Sequence, residues 1–177
     1  FKLDNKSIPA FASEALLAGI ALDTKNFVMR TGVRTFEAAA FLKKIGADTI
    51  VVKSLFTNSI DTYQKKTQVV SSAEIYNRCA IAHTEMKCDN IRLVCPQAAD
   101  ELLNITDVDA SFVLYRTGDI INISARSLGA LNVQVIMEKL GGGGHQTMAG
   151  AQFKDMTVDE VKEKLLTVIG EYFEEIE

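Results

Sequence analysis

EKLGGGGHQTMAG, residues 138–150, sets four consecutive glycines and a histidine directly after a stretch with helical spacing. A helix ending at Leu140 accounts for one of them, because Gly141 then takes the left-handed position after the last turn, where a residue without Cβ meets no steric penalty. Each further glycine adds unfolded-chain entropy that folding must remove, roughly 0.5–1 kcal/mol relative to alanine. Gly142, Gly143 and Gly144 therefore need a second reason. Such backbone can turn its N–H groups into a concave nest and admit a bulky anion without Cβ collision, and His145 adds a hydrogen bond or a positive charge. Two readings stand side by side: a plain turn between helix and strand, or a loop that touches an anionic ligand. The preceding helix points its partially negative end at the loop, so in the second reading the attraction must come from side chains. Arg126, in ISARS (123–127), is the nearest suitable cation, since a hairpin arm beside the loop can offer its guanidinium as a fork to phosphate oxygens.

Working outward, LNVQVIMEKL (131–140) reads as a helix and TMAGAQF (147–153) as a strand. TVDEVKEKLLTVIGEYFEEI (157–176) reads as an amphipathic final helix, with Thr157 capping and Glu160 three residues on. SFVLYR (111–116) and IINISAR (120–126) flank Gly118-Asp119 as the arms of a hairpin, and CAIAHTEM (79–86) suits another strand. IRLVCPQAADELLNI (91–105) is divided: its first half suits a strand and its second a helix, with Pro96 in that helix's first turn. Before residue 79 the apolar spacing is helical. IPAFASEALLAGIALDT (8–24) forms one helix, TFEAAAFLKKIGAD (35–48) a second with Thr35 capping and Gly46 stopping it, and DTIVVKSLF (48–56) and SIDTYQKKTQVVSSAEIYNRC (59–79) two more. The pattern predicts an α/β protein of two lobes: a mostly helical one over 1–76, and a smaller α/β domain with a mixed sheet over 77–177.

Apolar residues make up 47% and charged residues 24%, ordinary values for a chain that buries a core. No run approaches the roughly 20 uncharged apolar residues of a membrane span. The formal net charge of -4 argues against a broad nucleic-acid-coating surface. However, residues 155–177 hold eight carboxylates against only Lys162 and Lys164, which leaves the remainder slightly basic and allows a local cationic groove. Cys79, Cys88 and Cys95 fit neither a disulfide framework nor a zinc knuckle, and the expectation is reduced thiols in a cytoplasmic setting. Asp23 closes an apolar helix at its negative end, which is mildly unfavourable. It serves either as a turn carboxylate or as a metal ligand or general base at the mouth of a cleft. Arg30 and Arg34, on either side of Thr31-Gly32, are solvated loop charges or line a phosphate groove. His83 sits in an apolar strand pattern and reads as a core or edge histidine.

GIALDTKNF (19–27), RTGVRTFEAAAFL (30–42), ISARSLGALNVQVIMEKLGGGGH (123–145) and AGAQF (149–153) resemble the Asp-His-His phosphoesterase family with its associated C-terminal substrate-binding domain, most nearly its bacterial cyclic di-AMP phosphodiesterases. The resemblance implies a manganese-dependent catalytic lobe, of which 1–76 would be the remnant, followed by a substrate-gripping domain over 77–177. It makes Asp23 a metal-ligand aspartate of the catalytic centre. It assigns Gly141, Gly142, Gly143, Gly144 and His145 to the substrate loop and Arg126 and Ser127 to phosphate or nucleotide contacts; Arg30 and Arg34, from their place in the loop alone, are taken as further substrate-binding residues. The implied chemistry is hydrolysis of a 3′–5′ phosphodiester, cyclic di-AMP to linear pApA, by a metal-activated water between two ions. The family's Asp-x-Asp and Asp-His-His motifs are absent, and the only histidines are His83 and His145.

One carboxylate cannot hold two divalent ions, so the expectation is a fragment that binds a cyclic dinucleotide or short oligonucleotide weakly and does not hydrolyse it. The full-length parent is expected to be membrane-anchored, with this part in the cytoplasm and out of contact with the bilayer. A homodimeric or swapped contact is expected to cover apolar surface around Phe11 and Phe27, with partial disorder near residues 1–10. The alternatives are a non-catalytic single-stranded nucleic-acid-binding module and an oligoribonuclease or phosphoadenylate phosphatase. Few aromatic residues are placed to stack bases, since Phe112 and Tyr115 read as core.

Overall fold

Helical spacing before residue 72 becomes four helices, α1 (Ala10–Asp23), α2 (Val33–Lys44), α3 (Thr49–Ser54) and α4 (Ile60–Ser71), in a computed structural model that describes residues 8–176. The expectation for residues 1–7 lies outside the described residues; within 8–10, Ala10 already opens α1. The chain divides into two compact units between Asn58 and Ser59.

In the first unit, α1, α2 and α3 close around Leu17, Leu42, Ala47 and Val52, and the Phe27 ring stacks on Phe36 at 5.4 Å. Thr24 ends α1: its hydroxyl donates to the Ile20 carbonyl at 2.6 Å and accepts from the Phe27 N–H at 3.0 Å. Thr35 is not the cap of α2 that its position suggested. Gly32 holds that place, and Thr35, three residues in, reaches back so that Oγ1 accepts from the Gly32 N–H at 3.3 Å. Gly46, at φ +115°, follows α2 in a conformation that favours glycine.

The second unit contains, among the described residues, strands β1 (Glu74–Tyr76), β2 (Cys79–Thr84), β3 (Ala110–Thr117), β4 (Ile120–Ser127), β5 (Gly143–His145) and β6 (Met148–Lys154). Helices α5 (Ile91–Leu102), α6 (Val133–Lys139) and α7 (Val158–Ile176) complete it together with α4. The strands form one sheet in the order β1-β2-β3-β4-β6-β5. Only β2 and β3 run parallel, with α5 as their connection; the other pairs are antiparallel. This is the mixed sheet of the expected α/β class. Alternation sorts its residues. Ile81, Phe112, Leu114, Ile121 and Ile123 share a core with Val133, Ile136, Leu165 and Ile169 of α6 and α7. Ala80, Ala82, Val113 and Tyr115 share another with Val69 of α4 and Val94, Ala98 and Leu102 of α5. Thr157 caps α7 reciprocally: Glu160 Oε2 accepts from the Thr157 N–H at 2.7 Å, and the Glu160 N–H donates to Thr157 Oγ1 at 3.3 Å. The first of these bonds is the leading reason the Glu160 carboxyl is held below its usual range.

Two further sequence expectations change. The helix over 59–79 stops at Ser71, and the rest becomes the β1–β2 hairpin, turned by Asn77 and Arg78 at φ +45° and +58°. Two consecutive left-handed residues give the turn that matches strand twist, and Asn tolerates that conformation well. Residues 91–102 form one helix, with Pro96 in its interior rather than its first turn. Ile91, Val94, Cys95, Ala98, Ala99 and Leu102 all fall on its buried face, and that gain outweighs the hydrogen bond lost at the proline. Helix α4 packs with the second unit, where Val69 is buried among the α5 side chains and Asn90 Nδ2 donates to Thr62 Oγ1 at 3.2 Å, so that compact unit starts upstream of the domain expected over 77–177. Among the described residues no helix is long and apolar enough to cross a membrane.

Candidate functional site

The four glycines have different reasons to be there. Helix α6 gives way at Leu140, and Gly141 sits at φ +76° while its N–H donates to the Glu138 carbonyl at 3.0 Å. This is the left-handed cap that the sequence called for. A Cβ on Gly142 would collide with the Gly150 carbonyl oxygen and with Ala151. Gly144 lies at φ +150°, and a Cβ there would come within 2.5 Å of the Met148 carbonyl oxygen and the Ala149 Cα. Gly143 has neither constraint: nothing lies within 4 Å of its Cβ position, and its φ is outside the left-handed region. The fold requires three of the glycines and leaves the fourth unexplained. The run is also more ordered than a loop, since Gly143 to His145 pair with β6 as the sheet's edge strand.

Register then decides which side chains meet, because residues directly opposite on paired strands share a face. Gly143 lies opposite Gly150, and Gly150 opposite Ser124. In the next row His145 lies opposite Met148, Met148 opposite Arg126, and Arg126 opposite Ser111. Tyr115, Asn122 and Gln152 form a third row. All three rows lie on the face turned away from α6 and α7, and beside them opens a cleft of about 610 Å³ lined by Gly141, Gly142, Gly143, Gly150, Asn122 and Gln152 among others. Arg126 and His145 occupy the row adjoining the cleft rather than its lining.

Arg126 is 92% buried, with 8% of its surface exposed. Its Nη1 donates to the Ala125 carbonyl at 2.9 Å, and its Nε lies 3.4 Å from Asp100 Oδ1 yet has no hydrogen-bond partner. Asp100 answers the charge there, and what Nε lacks is a directional hydrogen bond. Ser127, one residue on, projects from the opposite face; its hydroxyl donates to the Leu131 carbonyl at 2.7 Å and pins the turn leading to α6. His145 is exposed. Gln152, Asn122 and Gly150 carry no signal in the sequence, and Tyr115 reads there as core, because only strand pairing aligns them beside Gly143.

In the first unit Asp23 is the exposed last residue of α1, Arg30 lies in the following loop at φ +50°, and Arg34 is exposed in the first turn of α2. Among the described residues no three His, Cys, Asp or Glu side chains gather to hold a metal ion. The described donors therefore do not fit a manganese pair by themselves. Cys79 and Cys95 are buried free thiols, each pushed up to about 12 by burial.

The chain belongs to the family described as the DHHA1 domain, whose profile matches residues 80–175. Within it, the chain is 44% identical over 177 residues to the cyclic-di-AMP phosphodiesterase PdeA of Listeria monocytogenes serotype 1/2a (strain 10403S), covering 98% of this chain and 27% of that protein. It is 48% identical over 162 residues to the cyclic-di-AMP phosphodiesterase GdpP of Geobacillus thermodenitrificans (strain NG80-2), covering 90% of this chain and 25% of that protein. The chain thus spans about a quarter of the length of these curated relatives. The crystal structure of an exopolyphosphatase-related protein from Bacteroides fragilis has the same fold, with a TM-score of 0.85 at 20% identity over 95% of this chain and 52% of that one.

Proposed function

We propose that this chain is the nucleotide-gripping part of a metal-dependent phosphodiesterase that opens cyclic di-AMP to linear pApA. One observation carries the reading. Gly143, the glycine of the run that folding does not require, opens onto the cleft, and the adjoining row holds a buried guanidinium with an unmatched Nε–H. Bare main chain admits a phosphate closely, and a preorganised arginine supplies directional donors to it. His145, in the same row as Arg126, adds a further donor from the edge strand. The names of the relatives supply the nucleotide.

In this reading Asp23 gives one carboxylate to a manganese site whose other ligands come from elsewhere in a longer, membrane-anchored protein, with this part on the cytoplasmic side. Arg30 and Arg34 are the first unit's phosphate-directed cations. The 177-residue chain on its own then binds nucleotide without hydrolysing it. Calorimetric titration with cyclic di-AMP, pApA and a hexanucleotide tests the first half, with both dinucleotides expected to bind more tightly than the hexamer. Incubation with cyclic di-AMP and manganese tests the second. A folded chain that binds none of the three ligands overturns the reading.

A further inference from the structure

We infer that Gln152 is the base-reading residue of the glycine cleft and that it takes adenine by its amino group and neighbouring ring nitrogen; this rests on the nucleotide reading above. Asn122 and Gln152 lock each other's amides. Asn122 Nδ2 donates to Thr117 Oγ1 at 2.8 Å, to the Ile120 carbonyl at 3.3 Å and to the Tyr115 carbonyl at 3.4 Å. Backbone carbonyls only accept, so the nitrogen of this amide must face them and Oδ1 must face away. Oδ1 accepts in turn from Gln152 Nε2 at 3.0 Å. Reversing Gln152 would set two carbonyl oxygens against each other. Asn122 is buried and Gln152 exposed in the cleft wall, so a fixed anchor holds a solvent-facing reader.

What remains free on Gln152 is one N–H and Oε1, in an order that the lock prevents from switching. A locked amide distinguishes bases by the order of donor and acceptor as well as by their presence. Adenine offers its amino N–H to Oε1 and N7 or N1 to the Nε2–H, the bidentate pairing open to glutamine. Guanine, placed the same way, brings the oxygen O6 against Oε1, acceptor against acceptor. Gly143 and Gly150 lie opposite each other in the neighbouring row and leave main chain as the floor beside the ring. Along β4 the rows of Asn122 and Arg126 are four residues apart, about 13 Å at strand spacing, the scale of one nucleotide from base edge to phosphate.

The test is titration of the 177-residue chain, and of its Gln152→Ala and Arg126→Met variants, with cyclic di-AMP and cyclic di-GMP. The wild-type chain is expected to prefer cyclic di-AMP by on the order of tenfold to a hundredfold. Gln152→Ala is expected to erase that preference by weakening cyclic di-AMP alone. Arg126→Met is expected to weaken both ligands alike. Absence of a preference in the wild-type chain, or its persistence in Gln152→Ala, overturns the base-reading role while leaving the phosphate grip intact. Failure of the wild-type chain to bind either ligand overturns both.

Discussion

Arg126 Nε lies 3.4 Å from the Asp100 carboxylate of α5 without forming a hydrogen bond to it. The guanidinium is buried, whereas the Asp100 side chain is 40% exposed. The carboxylate therefore keeps part of its hydration while it pairs with the cation. Removing one partner of an ion pair leaves the other charge uncompensated, but the Asp100 side chain is 40% exposed and can be hydrated, so Arg126→Met is expected to cost about 1 kcal/mol of unfolding free energy, well below the loss for a fully buried partner. Nucleotide affinity, in contrast, should fall at least tenfold, because a charge-assisted bidentate contact to phosphate has no apolar substitute. Urea unfolding and calorimetry on the same preparation check the two halves together. A large stability loss with unchanged affinity would make Arg126 a structural residue.

Stability and binding should also separate along the glycine run. Gly142→Ala and Gly144→Ala each force a Cβ into backbone of β6, and Gly144→Ala adds a left-handed strain; typical overpacking losses are about 1–3 kcal/mol or more. Gly143→Ala meets open space in a conformation that alanine tolerates. Its unfolded chain loses freedom, so it is expected to gain about 0.4–1 kcal/mol and still bind nucleotide more weakly, because its methyl points into the space the phosphate needs. Denaturation midpoints for the three variants, set beside their affinities, decide this. A Gly143→Ala chain that binds like the wild type would remove the ligand from the explanation of the fourth glycine.

Much of the fold was legible because its signals are local. Gly118-Asp119 between two apolar runs gave the β3–β4 hairpin, and Thr157 with Glu160 gave the start of α7. The Asn77-Arg78 turn was missed because helical spacing over 59–71 carried past the point where two left-handed residues reverse the chain. Pro96 misled for a related reason: the cost of an interior proline is local, whereas the burial that outweighs it is spread over six residues of α5. At the site, Arg126 and the glycines could be named from their chemistry. The Asn122–Gln152 pair could not, since thirty residues separate its members and only the β4–β6 register brings them together.

Cys79 and Cys95 tie the second unit's stability to alkaline pH. Burial pushes both thiols up to about 12 from an ordinary value near 9.0. Each stays protonated in the folded chain, while in the unfolded chain it ionises at its ordinary value. A group whose folded value is raised contributes fully below the unfolded value and loses that contribution as pH rises through the folded one. Stability should therefore decline from about pH 9 toward pH 12. The Cys79→Ala/Cys95→Ala double variant, though less stable at neutral pH through lost packing, should decline less over that window. Urea midpoints for both chains at pH 8.0, 9.5 and 10.5 measure the difference, and parallel curves would remove the thiols as its cause. Near pH 8 only the half-buried Cys88 should react quickly with a disulfide reagent, since attack requires an accessible thiolate.

Helix α1 is apolar around most of its circumference, yet in the first unit only Ser13, Leu17 and Ala21 of it are buried. A helix with such a surface ordinarily lies inside a larger body. Here Phe11 and Leu22 are 73% and 67% exposed, and Val33 of α2 and Ile50 of α3 reach 75% and 78%. So much apolar surface on one small unit favours association wherever a complementary surface is at hand. The isolated chain has a second copy of itself available, so its sedimentation coefficient is expected to rise with concentration over the micromolar range. Phe11→Glu combined with Ile50→Glu should shift that rise to higher concentration while leaving the nucleotide affinity of the second unit unchanged, because each new carboxylate would have to be desolvated at the contact. A wild-type chain that sediments as a monomer throughout would show that this surface does not pair with itself, and the same double variant would then have no effect on sedimentation.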